Sequence, residues 1–235
     1  MYMYQFIKKG DSMREDICTI PVSDVFEVSD GCPICRMYDM LQTRAVDYIT
    51  GAAMMEPDVR TVTNKKGFCG AHLYKIVKEK SGLSLALMLQ THIENLGDDL
   101  FERGDKDGKV AAERLSSCFL CEKIDWGMER MIETIYITYE NDKDFREMFD
   151  SQPTFCLPHY SLLLSGVKKS RLKKYSSEFR NSLKKITKNQ LDELNSDLLH
   201  FCSMFDYRNR GGDWGNSKTA IQRTLQFRNG YEQEK

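Results

Sequence analysis

Cys32-Pro33-Ile34-Cys35 is followed by Phe68-Cys69-Gly70-Ala71-His72, and Cys118-Phe119-Leu120-Cys121 by Phe155-Cys156-Leu157-Pro158-His159. The gap from Cys35 to Cys69 is 34 positions, and from Cys121 to Cys156 it is 35. These sets take six of the eight cysteines and two of the four histidines, too many to be scattered by accident. A C-x2-C pair puts two thiolates on one turn, and a second pair closes a tetrahedron. Cys3His is a structural zinc set that leaves no position for water. The chain is therefore expected to bind two Zn2+ ions. Closure within each half is the pairing expected, with Cys32, Cys35, Cys69 and His72 in one site, and Cys118, Cys121, Cys156 and His159 in the other. Spacing alone also allows closure across the halves. An iron–sulfur cluster is the alternative occupant of a thiolate-rich site. Thiol redox chemistry is a further alternative, although Cys32 and Cys35 lack the βαβ setting of a thioredoxin motif.

The elements that must carry these residues read as helices. Met37, Leu41, Ala45, Tyr48, Ala52 and Met55 step by four and three, as do Ile124, Met128, Met131 and Ile135. Tyr160, Leu163, Leu164 and Val167 form a third apolar face. The longest stripe runs from Leu172, Tyr175 and Phe179 to Phe201 and Phe205, a helix of about 50 Å if unbroken. Residues 19–28 are the one stretch expected to be extended. Pro33 and Pro158 suit first-turn positions, where a missing N–H costs nothing. The return from residue 56 to residue 68, if extended, spans roughly 43 Å and could bring a C-x2-H back to its own C-x2-C.

Residues 104–108, with a glycine at each end, read as a linker. The division expected is 1–104, an N-terminal extension plus a first module, and 105–235, a second module with a long helix and a last helix over 218–228. The fold class is all-α: a pseudo-duplicated helical protein with two zinc-stapled modules. A period of about 86 residues suits a duplicated domain rather than a solenoid.

At 235 residues, 41% hydrophobic and 29% charged, the composition is that of a globular chain with a core of its own. No leader and no run of about 18 apolar residues is visible. The expected location is the cytoplasm, without membrane contact, where thiols stay reduced and paired cysteines hold metal rather than form disulfides.

The near-zero net charge hides a division: residues 1–167 carry 19 basic and 27 acidic side chains, and residues 168–229 carry 14 and 6. Lys168, Lys169, Arg171, Lys173, Lys174, Arg180, Lys184, Lys185 and Lys188 flank a single acid, Glu178. They read as a solvated helical face that answers the acidic part of the chain or a partner protein. The alternative is a nucleic-acid surface over 168–188.

Residues 206–214 pack two arginines, an asparagine, two aspartates and Trp214 into one loop. They read as a capped helix end with Trp214 as anchor. His92 reads as a satisfied core histidine, Cys18 as a small buried residue, and Glu129 and Glu133 as surface charge. His200 and Cys202, two apart on a helix, do not form a ligand pair. No phosphate-binding or nucleophile-elbow motif is present, and no catalytic residue is assigned.

With these residues in hand, the chain resembles a family of uncharacterised proteins from anaerobic Gram-positive bacteria. The shared pattern is Ile20-Pro21 to Phe26, Cys32 to Cys35, Phe68 to His72, Cys118 to Cys121, Cys156 to His159, and Asp206-Tyr207-Arg208. The resemblance covers nearly the whole chain and implies no activity. The function expected is that of a zinc-binding protein-interaction or adaptor module, more a binder than an enzyme.

Overall fold

The computed structural model describes residues 19–78 and 82–230. The described residues form eleven α-helices and no strand. In order they are α1 (Thr19–Glu27), α2 (Pro33–Thr50), α3 (Pro57–Lys66), α4 (Gly70–Lys78), α5 (Gly82–Gly97), α6 (Lys109–Ser116), α7 (Phe119–Asn141), α8 (Lys143–Asp150), α9 (Leu157–Gly166), α10 (Ser176–Ser203) and α11 (Ala220–Asn229). None is long and apolar enough to cross a membrane. The expected all-α class is the observed one. Cys18 and the chain start lie outside the described residues.

Two helices organise the rest. Ile34 and Met37, at the start of α2, share one core with Met131, Ile135 and Tyr139, late in α7. Val46 and Ile49, at the end of α2, share a second core with Leu120 and Ile124, early in α7. The two helices thus run in opposite directions, each threading both cores. They pack closely: a Cβ on Gly127 would stand 3.1 Å from a Leu41 methyl. Each core draws on residues from both sides of the glycine-bounded turn at 104–108.

The first core is aromatic. Phe149 has Phe179, Phe155, Tyr139 and Phe26 around it, with ring centroids at 4.8, 4.9, 5.2 and 5.8 Å. The second is smaller and mostly aliphatic, with Ile76, Leu85 and Met88 from α4 and α5.

Three expectations need correction. Residues 19–28, expected to be extended, are helical from Thr19 to Glu27. Their β-branched composition misleads, but the buried residues are Val22, Val25 and Phe26, a spacing of three and four. Residues 56–68 are not extended: α3 coils ten of them, spanning about 15 Å. The long stripe is broken as well, since α10 starts at Ser176. Leu172 is buried but sits in a turn. That turn is held by Glu140, whose carboxylate accepts from the backbone N–H of Lys173, Lys174 and Tyr175 at 2.9, 2.9 and 3.3 Å. Three satisfied amides make a stop that outweighs apolar periodicity.

Candidate metal centres

All four Cys-containing pairs straddle a helix start. Cys32, Cys118 and Cys156 are the N-cap residues of α2, α7 and α9, and Cys69 immediately precedes α4. The second member of each pair lies one turn inside. Pro33 and Pro158 occupy first-turn positions, as expected. A helix N-terminus presents unpaired N–H groups and the positive end of the dipole, so it favours thiolate over thiol. The Cys118 sulfur accepts from the Cys121 amide at 3.5 Å.

The eight expected residues gather into two quartets: Cys32, Cys35, Cys156 and His159, and Cys69, His72, Cys118 and Cys121. Each C-x2-C therefore meets the C-x2-H of the other half, and closure within each half is not what the chain does. The physical cause is α2. About 27 Å long, it carries the chain from the first core to the second. Because α3 is coiled rather than extended, Cys69 and His72 stay at the far end, where α7 begins. Antiparallel α7 then returns the chain to the first core, where α9 delivers Cys156 and His159.

In the first quartet the His159 Nδ1 lies 3.1, 3.3 and 3.5 Å from the sulfurs of Cys156, Cys35 and Cys32, and Cys35 and Cys156 are 3.6 Å apart. In the second, the His72 Nδ1 lies 3.3, 3.4 and 3.4 Å from Cys69, Cys118 and Cys121, and Cys69 and Cys121 are 3.8 Å apart. A tetrahedral ion with bonds of about 2.3 Å to sulfur and about 2.0 Å to nitrogen would have edges of roughly 3.8 and 3.5 Å. The donor atoms thus sit near the corners of two metal-sized tetrahedra. All four in each quartet lie within 4.8 Å of one another, which encloses one ion rather than several.

The charges in the quartets call for a cation. In the first, hydrogen bonds and charge from Cys32 and Cys35, together with burial, push the Cys156 thiol far up. Burial opposes ionisation of Cys32, yet contacts with Cys156, Cys35 and His159 hold its pKa well below the ordinary thiol value. Burial also works against the His159 imidazolium, but the Cys32 and Cys35 thiols outweigh it and raise His159 to about 9. In the second, burial and the Cys118 charge push Cys121 up. Burial and Lys75 push His72 down, towards the neutral imidazole that a metal needs, against an opposing pull from Asp125. A bound dication would let the clustered thiolates coexist.

In amino-acid sequence the chain matches one described family over nearly its whole length. It belongs to DUF6062, a family of unknown function. The match covers residues 13–235. No curated protein and no solved structure matches the chain. The DUF6062 match spans all eight ligand candidates and both cores.

Several residues that support the quartets were not singled out in the sequence. Gly67 has φ +61°, and a Cβ there would stand 2.6 Å from the His92 ring. Its carbonyl accepts from the Phe119 amide at 3.0 Å, and the Ser117 hydroxyl donates to the Lys66 carbonyl at 2.7 Å. These bonds stitch the two ligand loops of the second quartet together. His92 is half-buried with Nδ1 2.8 Å from the Asn64 carbonyl, the satisfied histidine expected. Gln42, on α2, has its amide 3.4 Å from His72 Nε2; turned so that its oxygen faces the ring, it accepts the Nε2 proton and fixes the tautomer.

At the first quartet, Gly230 ends α11 with φ +80°, and a Cβ there would touch the sulfurs of Cys156 and Cys35 at 3.6 and 3.7 Å. The end of the last helix therefore covers that site. Arg36 donates to the carbonyls of Val25 and Val28 at 3.2 and 2.6 Å, and Gln152 to that of Phe26 at 2.6 Å. These bonds satisfy the C-terminal carbonyls of α1 beside the ligands.

The remaining candidates stand apart from both quartets. His200 and Cys202 are exposed on α10. Asp206 accepts from the amide and guanidinium of Arg208, and Trp214 packs on Phe201 and Phe205 with centroids at 5.4 and 5.7 Å. Loop 206–214 is thus a capped and anchored helix end.

Proposed function

We propose that each quartet holds one structural zinc ion, and that the protein is a metal-stapled helical scaffold that acts by binding partners rather than by catalysis. The observation that carries this reading is the reciprocal closure. Each ion would tie a helix start from one half of the chain to a helix start from the other, using four protein donors and leaving no open coordination position. Such an ion contributes to folding rather than to chemistry. The cytoplasm suits it, because the thiolates stay reduced there.

A groove beside the second quartet supports the adaptor role. It is lined by Val62, Phe119 and Trp126, with Lys66, Glu122 and Lys123 at its edge. Trp126 is 56% exposed, with the Arg130 guanidinium 4.4 Å from its ring centroid. An accessible Trp beside an apolar floor is the side chain most enriched at binding hot spots. Elemental analysis of anaerobically purified protein tests the metal assignment. Two equivalents of zinc in a colourless protein are expected; iron with labile sulfide, or no metal, would contradict it.

A further inference from the structure

Most lysines of the α9–α10 corner do not pair with the acidic part of the chain, although the charge of Lys174 acts on Glu140. Arg171 reaches Glu133 at 3.7 Å, and Lys188 pairs with Asp192 one turn along. Glu140, the nearest anchored carboxylate, is used by backbone amides. Among the described residues, the side chains of Lys168, Lys169, Lys173, Lys184 and Lys185 have no ion pair and no hydrogen bond, and all five are exposed. Lys184 and Lys185 lie on the face of α10 opposite buried Phe179 and Leu183. They stand about 13 Å along the helix from its start, and the segment that carries the other three leads into that start.

We propose that this corner binds the phosphate backbone of a duplex nucleic acid without reading its sequence. Two features select that occupant among polyanions. The apolar side chains interleaved with these lysines are withdrawn: Leu172, Phe179 and Leu183 are buried, and the Tyr175 ring is covered by Arg146 and Lys174 at 3.9 and 4.8 Å, while the exposed Leu162 and Leu191 flank the segment in sequence. A protein interface would have an apolar core, and a membrane-binding face would carry apolar anchors. A single strand would need an open aromatic ring to stack on. Phosphates along a duplex need only spaced point charges, which lysine supplies. The proposal stands on a surface apart from both quartets, so it goes beyond the metal assignment and can fail without it.

The test is fluorescence anisotropy of the metal-loaded full chain with a labelled random-sequence DNA duplex of about 24 base pairs, at 50 and 200 mM salt. If all five lysines meet phosphates, affinity should fall roughly 500-fold between those salts. The combined Lys168→Glu, Lys169→Glu, Lys173→Glu, Lys184→Glu and Lys185→Glu variant should lose binding, while Lys65→Glu with Lys106→Glu should keep it. Acetylation mass spectrometry on the unaltered protein gives a reading independent of any variant: the duplex should protect Lys184 and Lys185. The proposal is overturned if the duplex does not bind at the lower salt, if the five-lysine variant binds as well as the parent, or if the lysines stay unprotected. It is equally overturned if phosphatidylserine vesicles or polyglutamate bind at this corner and the duplex does not.

Discussion

The two quartets use the same donors, and the surroundings set them apart. In the first, all three cysteines are buried, α11 closes over the sulfurs at Gly230, and Phe155, beside Cys156, belongs to an aromatic cluster. In the second, Cys118 and His72 are buried, but Cys69 and Cys121 are only half-buried, and the apolar groove opens alongside. Phe68, the counterpart of Phe155, is partly buried against the smaller core, and its ring contact among the described residues is an edge contact with Phe119 at 6.5 Å. The same donor set therefore sits in two environments: one quartet is part of the main core, and the other lies where solvent reaches it.

The largest effect should come from cutting the first centre. Cys156→Ser leaves buried Cys32 and Cys35 and half-buried His159 without their fourth ligand, beside the aromatic core, and it should cost roughly 4 kcal/mol or more, lowering the melting temperature by about 10 °C. Cys121→Ser should cost about half as much and remove one metal equivalent, leaving the other bound. Equal melts for the two variants would erase the distinction between the centres. Phe149→Ala probes the same contrast through packing: loss of the aromatic hub should cost about 3–5 kcal/mol in a denaturant melt, well above Phe68→Ala.

Smaller effects should sharpen the picture of the second centre. Gly67→Ala places a methyl against His92 in a left-handed backbone, so it should cost about 1–3 kcal/mol and loosen the second metal while sparing the first. Gln42→Leu removes only the partner of the His72 ring, so stability should barely change while affinity at that centre falls roughly 10-fold. Metal release to a colorimetric chelator should be biphasic in the parent, with the fast phase accelerated in both variants. Single-phase release, unchanged by either substitution, would mean that the two centres are equivalent.

Much of this was legible in the sequence. C-x2-C and C-x2-H at helix starts are local facts, as are Pro33, Pro158 and the 3.6-residue faces of α2 and α7. What was not legible depends on contacts between distant residues. The pairing of ligands turns on whether residues 56–68 coil or extend, and α3 is fixed by packing on α5 rather than by its own weakly apolar sequence. The start of α10 depends on Glu140, more than thirty positions earlier. The roles of Gly67 and Gly230 follow from neighbours that only the fold supplies. The basic segment was visible as charge, but whether that charge faces inward or outward required the ion pairs.

Reciprocal closure is tested most directly by loading this chain with 113Cd and recording cadmium–proton correlations. Two cadmium resonances are predicted. One should couple to the β-protons of Cys32, Cys35 and Cys156 and to the His159 ring, and the other to those of Cys69, Cys118 and Cys121 and to the His72 ring. A resonance that couples Cys32 and Cys35 to Cys69 and His72 would contradict the crossed pairing, and with it the account of how α2 and α7 join the two halves.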